Sequence, residues 1–176
     1  AALTGARSPL FEIGSISKVF TGLLLAQAEE RGELALDDAI GPLLKGKVDF
    51  GSPQAAAITL RQLVTHTACL PRLPADFNAV AVRGDPYRAY DRPRLWAALA
   101  ALQPTGTPPC PALYSNLGFA VLGELLSLKA GKPWDTVVRE RITAPLGLHD
   151  TVQHLGDKAS RLAPGFVGDQ STPPWE

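Results

Sequence analysis

Methionine is absent from the 176 residues. Ala1 is therefore expected to be a processed, engineered or truncated start rather than an initiator. A surplus of either charge is lacking too: Lys plus Arg is 17 and Asp plus Glu is 17. No basic run compensates locally, so nucleic acid and anionic lipid are poor first guesses for a partner. Long apolar runs are missing. The longest, residues 19–28, is interrupted by Thr21, Gly22 and Gln27 and is too short to cross a bilayer. No charged n-region with an apolar h-region opens the chain, so no signal peptide is visible, and this leaves the compartment open. Histidine is limited to His66, His149 and His154, which lack the clustered spacing of a metal site. His66 is expected to be a hydrogen-bonded structural residue. Cysteine is limited to Cys69 and Cys110. On the residues alone these read as two free, partly buried thiols.

What remains is 45% hydrophobic, enough for one ordinary domain with a core. There is no internal repeat. The segment 17–31 reads as a helix, with Val19, Phe20, Leu23, Leu24 and Ala28 near helical spacing and Gly32 as its stop. Thr59 is a candidate cap for a short helix to about Thr65. Further helices are expected over 94–102, over 115–130 before Gly131, and from Pro133 at a first helical position to Ile142. The stretch 33–47 reads as turn and irregular chain, and 68–93 and 103–113 as proline-rich loops. Strand patterns are confined to 8–13 and 162–167. The pattern is that of a mainly α domain with long loops.

The chemistry-bearing residues begin with Ser15-Ile16-Ser17-Lys18. Positions three apart share a helix face, with Cβ atoms roughly 5–6 Å apart. A serine hydroxyl is a weak nucleophile until a base takes its proton, and a lysine drawn inward beside it can do so. The positive end of a helix favours the oxyanion that follows. Gly14 leaves room for a substrate. Tyr114-Ser115-Asn116 is the second candidate group: a tyrosine that relays a proton and an amide suited to a substrate amide. Taken singly, either motif is as readily a helix cap with a solvated lysine or a half-buried aromatic. Asp37 and Asp38 read as turn residues rather than a paired-carboxylate site, and Tyr87, Tyr90 and Trp96 as core or rim packing before cleft lining.

Five segments in order carry a family resemblance. Phe11 to Thr21, with its S-x-x-K core, resembles the nucleophile segment of class C β-lactamases, family VIII esterases and D,D-peptidases. Tyr114-Ser115-Asn116 is similar to their Y-x-N motif. Residues 32–38 resemble a G-x-L-x-L-D-D turn, 58–67 an I-T-x-R-x-L-x-x-H-T segment, and 145–151 a P-L-G-x-x-D-T turn. The resemblance covers nearly the whole chain, to the serine β-lactamase-like and penicillin-binding superfamily.

The resemblance implies the helical subdomain of the β-lactamase/transpeptidase-like α/β fold, with flanking pieces and most of the sheet missing. Over 1–176 that is a partial domain, because no K-T-G or H-x-G triplet occurs and only fourteen residues precede Ser15. It implies a serine hydrolase that forms an acyl-enzyme on amide, β-lactam or ester substrates, small or peptidoglycan-like, without a cofactor or metal. Ser15, Lys18 and Tyr114 would be catalytic and Asn116 substrate-binding. A periplasmic or secreted location is implied. The proline-rich loops border the active-site rim in the family, and export permits a Cys69–Cys110 disulfide, worth about 4 kcal/mol by loop closure. Cys69 stands where the family commonly has Gly, and the Arg72 region lacks the glutamine of class C β-lactamases. The alternative reading is a non-catalytic helical fragment or interaction module that associates with itself or with the remainder of the domain.

Overall fold

The computed structural model describes residues 8–175, and helices dominate them. A 3-10 turn, Gly14–Ile16, runs directly into α1, Ser17–Glu30. Four short helices follow: α2 (Ile40–Leu43), α3 (Pro53–Ala56), α4 (Leu60–Val64) and α5 (Phe77–Val80). Then come α6 (Arg92–Ala100), α7 (Asn116–Ala130) and α8 (Trp134–Val138), which continues into a π-helical turn, Arg139–Thr143. The sheet among the described residues is one antiparallel hairpin, β1 (Gly165–Val167) with β2 (Gln170–Thr172), in register Phe166 to Ser171.

α7 is the organising element. It packs against α1, α4 and α8. Leu117, Val121, Leu122, Leu125 and Leu126 fall at helical spacing and are all buried. They meet Leu24, Leu25 and Ala28 of α1, Leu60 and Leu63 of α4, and Val137 and Val138 of α8 in one core. Fully burying each such leucine contributes about 1.5–3 kcal/mol. Local signals set the ends. Ser115 Oγ accepts from Gly118 N–H at 3.0 Å to start α7, and Gly131 stops it with a φ of 64°. Thr59 and Gln62 form a reciprocal capping box at α4.

Several sequence expectations are corrected. The 94–102 helix begins at Arg92, because Asp91 Oδ1 accepts from Arg94 N–H and Pro93 suits a first turn. Pro133 is the N-cap of α8 rather than its first residue. The stretches expected to be irregular contain α2 and α5, and α3 lies in a stretch for which no element was expected. Residues 8–13 form no strand: Leu10 alone bridges Leu162, and the 162–167 candidate is a strand only from Gly165. Val19 and Leu23, grouped with the inward residues of α1, are 58% and 45% exposed and align with Ile16 at 61%. α1 is apolar on both sides, so spacing alone did not reveal which side the core would take.

α2 and α3 touch so closely that Gly41 has no room for a side chain. A Cβ there would lie 2.8 Å from Ala56 Cβ and 2.9 Å from the Ala56 carbonyl oxygen. Gly41→Ala should therefore lower stability by about 1–3 kcal/mol in a denaturant titration, since backbone must move to admit it. An unchanged midpoint would show that this contact yields freely.

Candidate active site

Gly14 adopts a φ of 50°, a left-handed conformation that glycine reaches without penalty. This bend lifts the 3-10 turn so that Ser15 is exposed at the head of α1. Lys18, one turn on and half-buried, donates from Nζ to Ser15 Oγ at 3.2 Å. The spacing of three thus delivers the contact it promised.

Tyr114 reaches the same atom from 99 residues away, its hydroxyl 2.7 Å from Ser15 Oγ. Ser115 between Tyr114 and Asn116 is extended, with φ −127° and ψ 117°. Extended backbone sends alternate side chains to opposite sides. Ser115 accordingly turns inward, buried, and donates to the Pro71 carbonyl at 2.7 Å. Tyr114 and Asn116 share the other side. Asn116 Nδ2 donates to Tyr87 Oη at 2.8 Å, while its Oδ1 is buried without a partner.

His66 supports this segment as the structural residue it was expected to be. Its Nδ1 accepts from Ser115 N–H at 3.1 Å, and its ring lies 4.8 Å from the Tyr114 ring. Burial, reinforced by the Lys18 charge, holds the imidazole below its ordinary value and so neutral at pH 7. Tyr114 is also lowered. Hydrogen bonding from Lys18 and from Ser15 favours the phenolate, burial opposes it, and the charges of Lys18 and Arg72 add to the lowering.

The two proline-rich loops meet as a ladder. The carbonyls of His66, Thr67 and Cys69 accept from the amides of Leu113, Cys110 and Thr105 at 2.9, 2.9 and 3.2 Å. Cys69 and Cys110 are disulfide-bonded across it, with Cα atoms 5.4 Å apart. The free-thiol reading is therefore wrong, and the bridge implied by the resemblance is present. Cys69 has a φ of 57°, a left-handed conformation that glycine adopts most readily, which fits the glycine that the family resemblance puts there.

The other family-like segments are struts. Asp37 takes a two-point ion pair from Arg61, at 2.8 and 3.0 Å, and Asp38 Oδ2 accepts from Ala35 N–H. Asp150 is bound by Arg161 and Lys158, which hold its carboxyl at about 2. Tyr87 and Tyr90 do more than pack. With Phe77, Leu95 and Asn116 they line a cleft of about 250 Å³ beside the site. A larger cavity of about 480 Å³, walled by Ile13, Ser17, Phe20 and Trp134, includes neither Ser15 nor Tyr114. Among the described residues no group of His, Cys, Asp or Glu is placed to hold a metal ion, and no helix is long and apolar enough to cross a membrane. Arg72, whose guanidinium carbon is 5.1 Å from the Tyr114 ring centre, was missed as a site residue. No motif marks it.

A family model described as Beta-lactamase matches residues 7–175. Penicillin-binding protein 4 of Amycolatopsis lactamdurans is 31% identical over 167 residues, covering 94% of this chain and 42% of that protein. The solved β-lactamase/D-alanine carboxypeptidase from Yersinia pestis matches with a TM-score of 0.76 at 29% identity, over 89% of this chain and 44% of its own. A D-stereospecific amidohydrolase from Streptomyces sp. matches at 0.68 and 31% identity, over 82% of this chain and 45% of its own. The chain spans less than half the length of these relatives, and its fold is a helical portion of theirs. On the ordered motifs, the helical architecture and these matches together, the chain belongs to the β-lactamase family of serine hydrolases.

Proposed function

We propose that this chain carries the acylation centre of a serine hydrolase acting on amide, β-lactam or ester carbonyls. One observation carries the reading: a lysine amine and a tyrosine hydroxyl, 99 residues apart in the case of Tyr114, converge on the single atom Ser15 Oγ. Ser15 Oγ attacks the carbonyl carbon while its proton passes to the Tyr114 phenolate, and the Lys18 ammonium, bonded to Ser15 Oγ, holds the nucleophile and favours that phenolate. The Ser15 N–H, at the head of α1, supplies half of an oxyanion hole. Collapse of the tetrahedral intermediate breaks the bond to the leaving group, which takes the proton back through Tyr114. Water then attacks the acyl-enzyme by the reverse path. Asn116, next to the aromatic cleft, orients the substrate. No cofactor enters these steps.

The chain is, on this reading, a partial β-lactamase-like domain over residues 1–176. The strand bearing a K-T-G or H-x-G triplet, with the second oxyanion donor, comes from elsewhere in the domain. The exposed stripe Ile16, Val19 and Leu23 is an apolar surface suited to such a layer or to self-association. The same stripe favours a second reading, a non-catalytic module that only binds through it. The disulfide supports a periplasmic or secreted setting. Substrates of peptidoglycan type fit the relatives' names, which include a penicillin-binding protein and a D-alanine carboxypeptidase.

The test is covalent labelling of the full-length protein by a fluorescent penicillin and by a fluorophosphonate. The expected result is one adduct per chain, mapped by mass spectrometry to the peptide containing Ser15. Absence of any adduct with both probes, or an adduct on another residue, would overturn the reading and leave the binding module.

A further inference from the structure

Tyr114 has two cations against its ring. Lys18 Nζ lies 4.9 Å from the ring centre and the Arg72 guanidinium carbon 5.1 Å. The third titratable neighbour, His66, is held below its ordinary value by burial and adds no charge at neutral pH. The two cations play different parts. Lys18 bonds Ser15 directly. Arg72 is exposed and pairs with no carboxylate among the described residues.

The place of Arg72 is set by its backbone. Its carbonyl accepts from both Asn116 N–H and Leu117 N–H, at 2.9 and 3.2 Å. The preceding carbonyl, of Pro71, accepts from Ser115 Oγ at 2.7 Å. The Pro71–Arg72 turn is thereby pinned to the start of α7, two residues after Tyr114. An exposed arginine side chain is ordinarily free to wander, but here its root is tied within a few bonds of the ring it covers.

We propose that Arg72 is a positioning residue whose positive charge, beside that of Lys18, stabilises the phenolate that Tyr114 presents to the Ser15 hydroxyl. This rests on the Ser15–Tyr114 reading above. The phenolate takes the proton from Ser15 Oγ as the Oγ–carbonyl bond forms, and the phenol returns it to the leaving group. A phenolate must exist near neutral pH for that step, and a neighbouring fixed cation favours it at every pH. The lowered phenol, to which the Arg72 charge contributes, agrees with this geometry.

The proposal is tested with Arg72→Lys, Arg72→Met and Arg72→Glu in the full-length protein. Two quantities are followed against pH: the rate of acylation by a fluorophosphonate, and ionisation of the Tyr114 phenol by ultraviolet difference against Tyr114→Phe. A unit charge 5.1 Å from the ring centre, in a largely aqueous setting, shifts the phenol by about half a pKa unit. The phenolate limb should therefore move to higher pH by about half a unit in the Met variant and about one unit in the Glu variant. The Lys variant should stay near wild type. In about 1 M salt, where the screening length is about 3 Å, the shifts should largely vanish.

A limb that does not follow the charge at position 72, or a rate that falls equally at all pH values, overturns the proposal and leaves Arg72 a packing residue. If no probe acylates the wild type, the functional reading fails by itself. The phenol titration still decides whether the Arg72 charge governs Tyr114.

Discussion

Ser15→Ala abolishes covalent labelling by either probe, and Tyr114→Phe slows it by about 10²–10⁴-fold, the range for losing a positioned general base. The serine variant removes the atom on which Lys18 and Tyr114 converge. The phenylalanine variant is the sharper test, because it deletes one oxygen. The ring keeps its contacts with His66 and with the Lys18 and Arg72 cations. What disappears is the 2.7 Å contact to Ser15 Oγ and the phenolate favoured by those cations. Second-order labelling rates, measured beside thermal melts that show both variants folded, give the comparison. Retained labelling in Ser15→Ala would dispose of the nucleophile assignment. A wild-type rate in Tyr114→Phe would leave Lys18 as the sole base.

Loss of the Cys69–Cys110 bridge has the largest expected effect on stability. The cysteines are 41 residues apart, and closing a loop of that length restricts the unfolded chain by about 4 kcal/mol. For a chain of this size that corresponds to a melting temperature lower by about 8–16 °C. Replacing both cysteines by alanine, or adding reductant to the wild type, should each produce the drop, and the double variant should ignore reductant. The effect reaches the site as well. The bridge clamps the ladder between residues 66–69 and 105–113, whose last rung, Leu113 to His66, lies beside Tyr114. Labelling should slow in the double variant even well below its melting point. Glycine at 69 in place of alanine should recover about 1 kcal/mol, because position 69 is left-handed with a φ of 57°. Two titratable thiols in the unreduced, unfolded protein would show that the bridge does not form in solution.

Local signals made the helices legible. α7 has a serine cap, a run of leucines at helical spacing and a terminal glycine, and its bounds came out within one residue of expectation. α4 was marked by Thr59 for the same reason. The short helices α2, α3 and α5 were not, since four residues carry too little periodicity to stand out from turn chemistry. The face of α1 was also illegible. Val19 and Leu23 are as apolar as Leu24 and Leu25, and only packing against α7 and α8 decided that the latter pair turns inward.

By itself the sequence determined one part of the candidate site. Ser15 and Lys18 must share a face because they sit three apart at a helix head, a short-range consequence of backbone geometry. That Tyr114 and Asn116 share a side came from the structure, where Ser115, expected inside the helix, is an extended N-cap. The tertiary structure alone decided that these pairs meet, because α1 and α7 had to pack before Tyr114 could reach Ser15. It also decided that Arg72 would lie over Tyr114 and Tyr87 would bond Asn116. Those contacts join side chains on separate loops to the residues at the start of α7, and no local pattern encodes where such loops end.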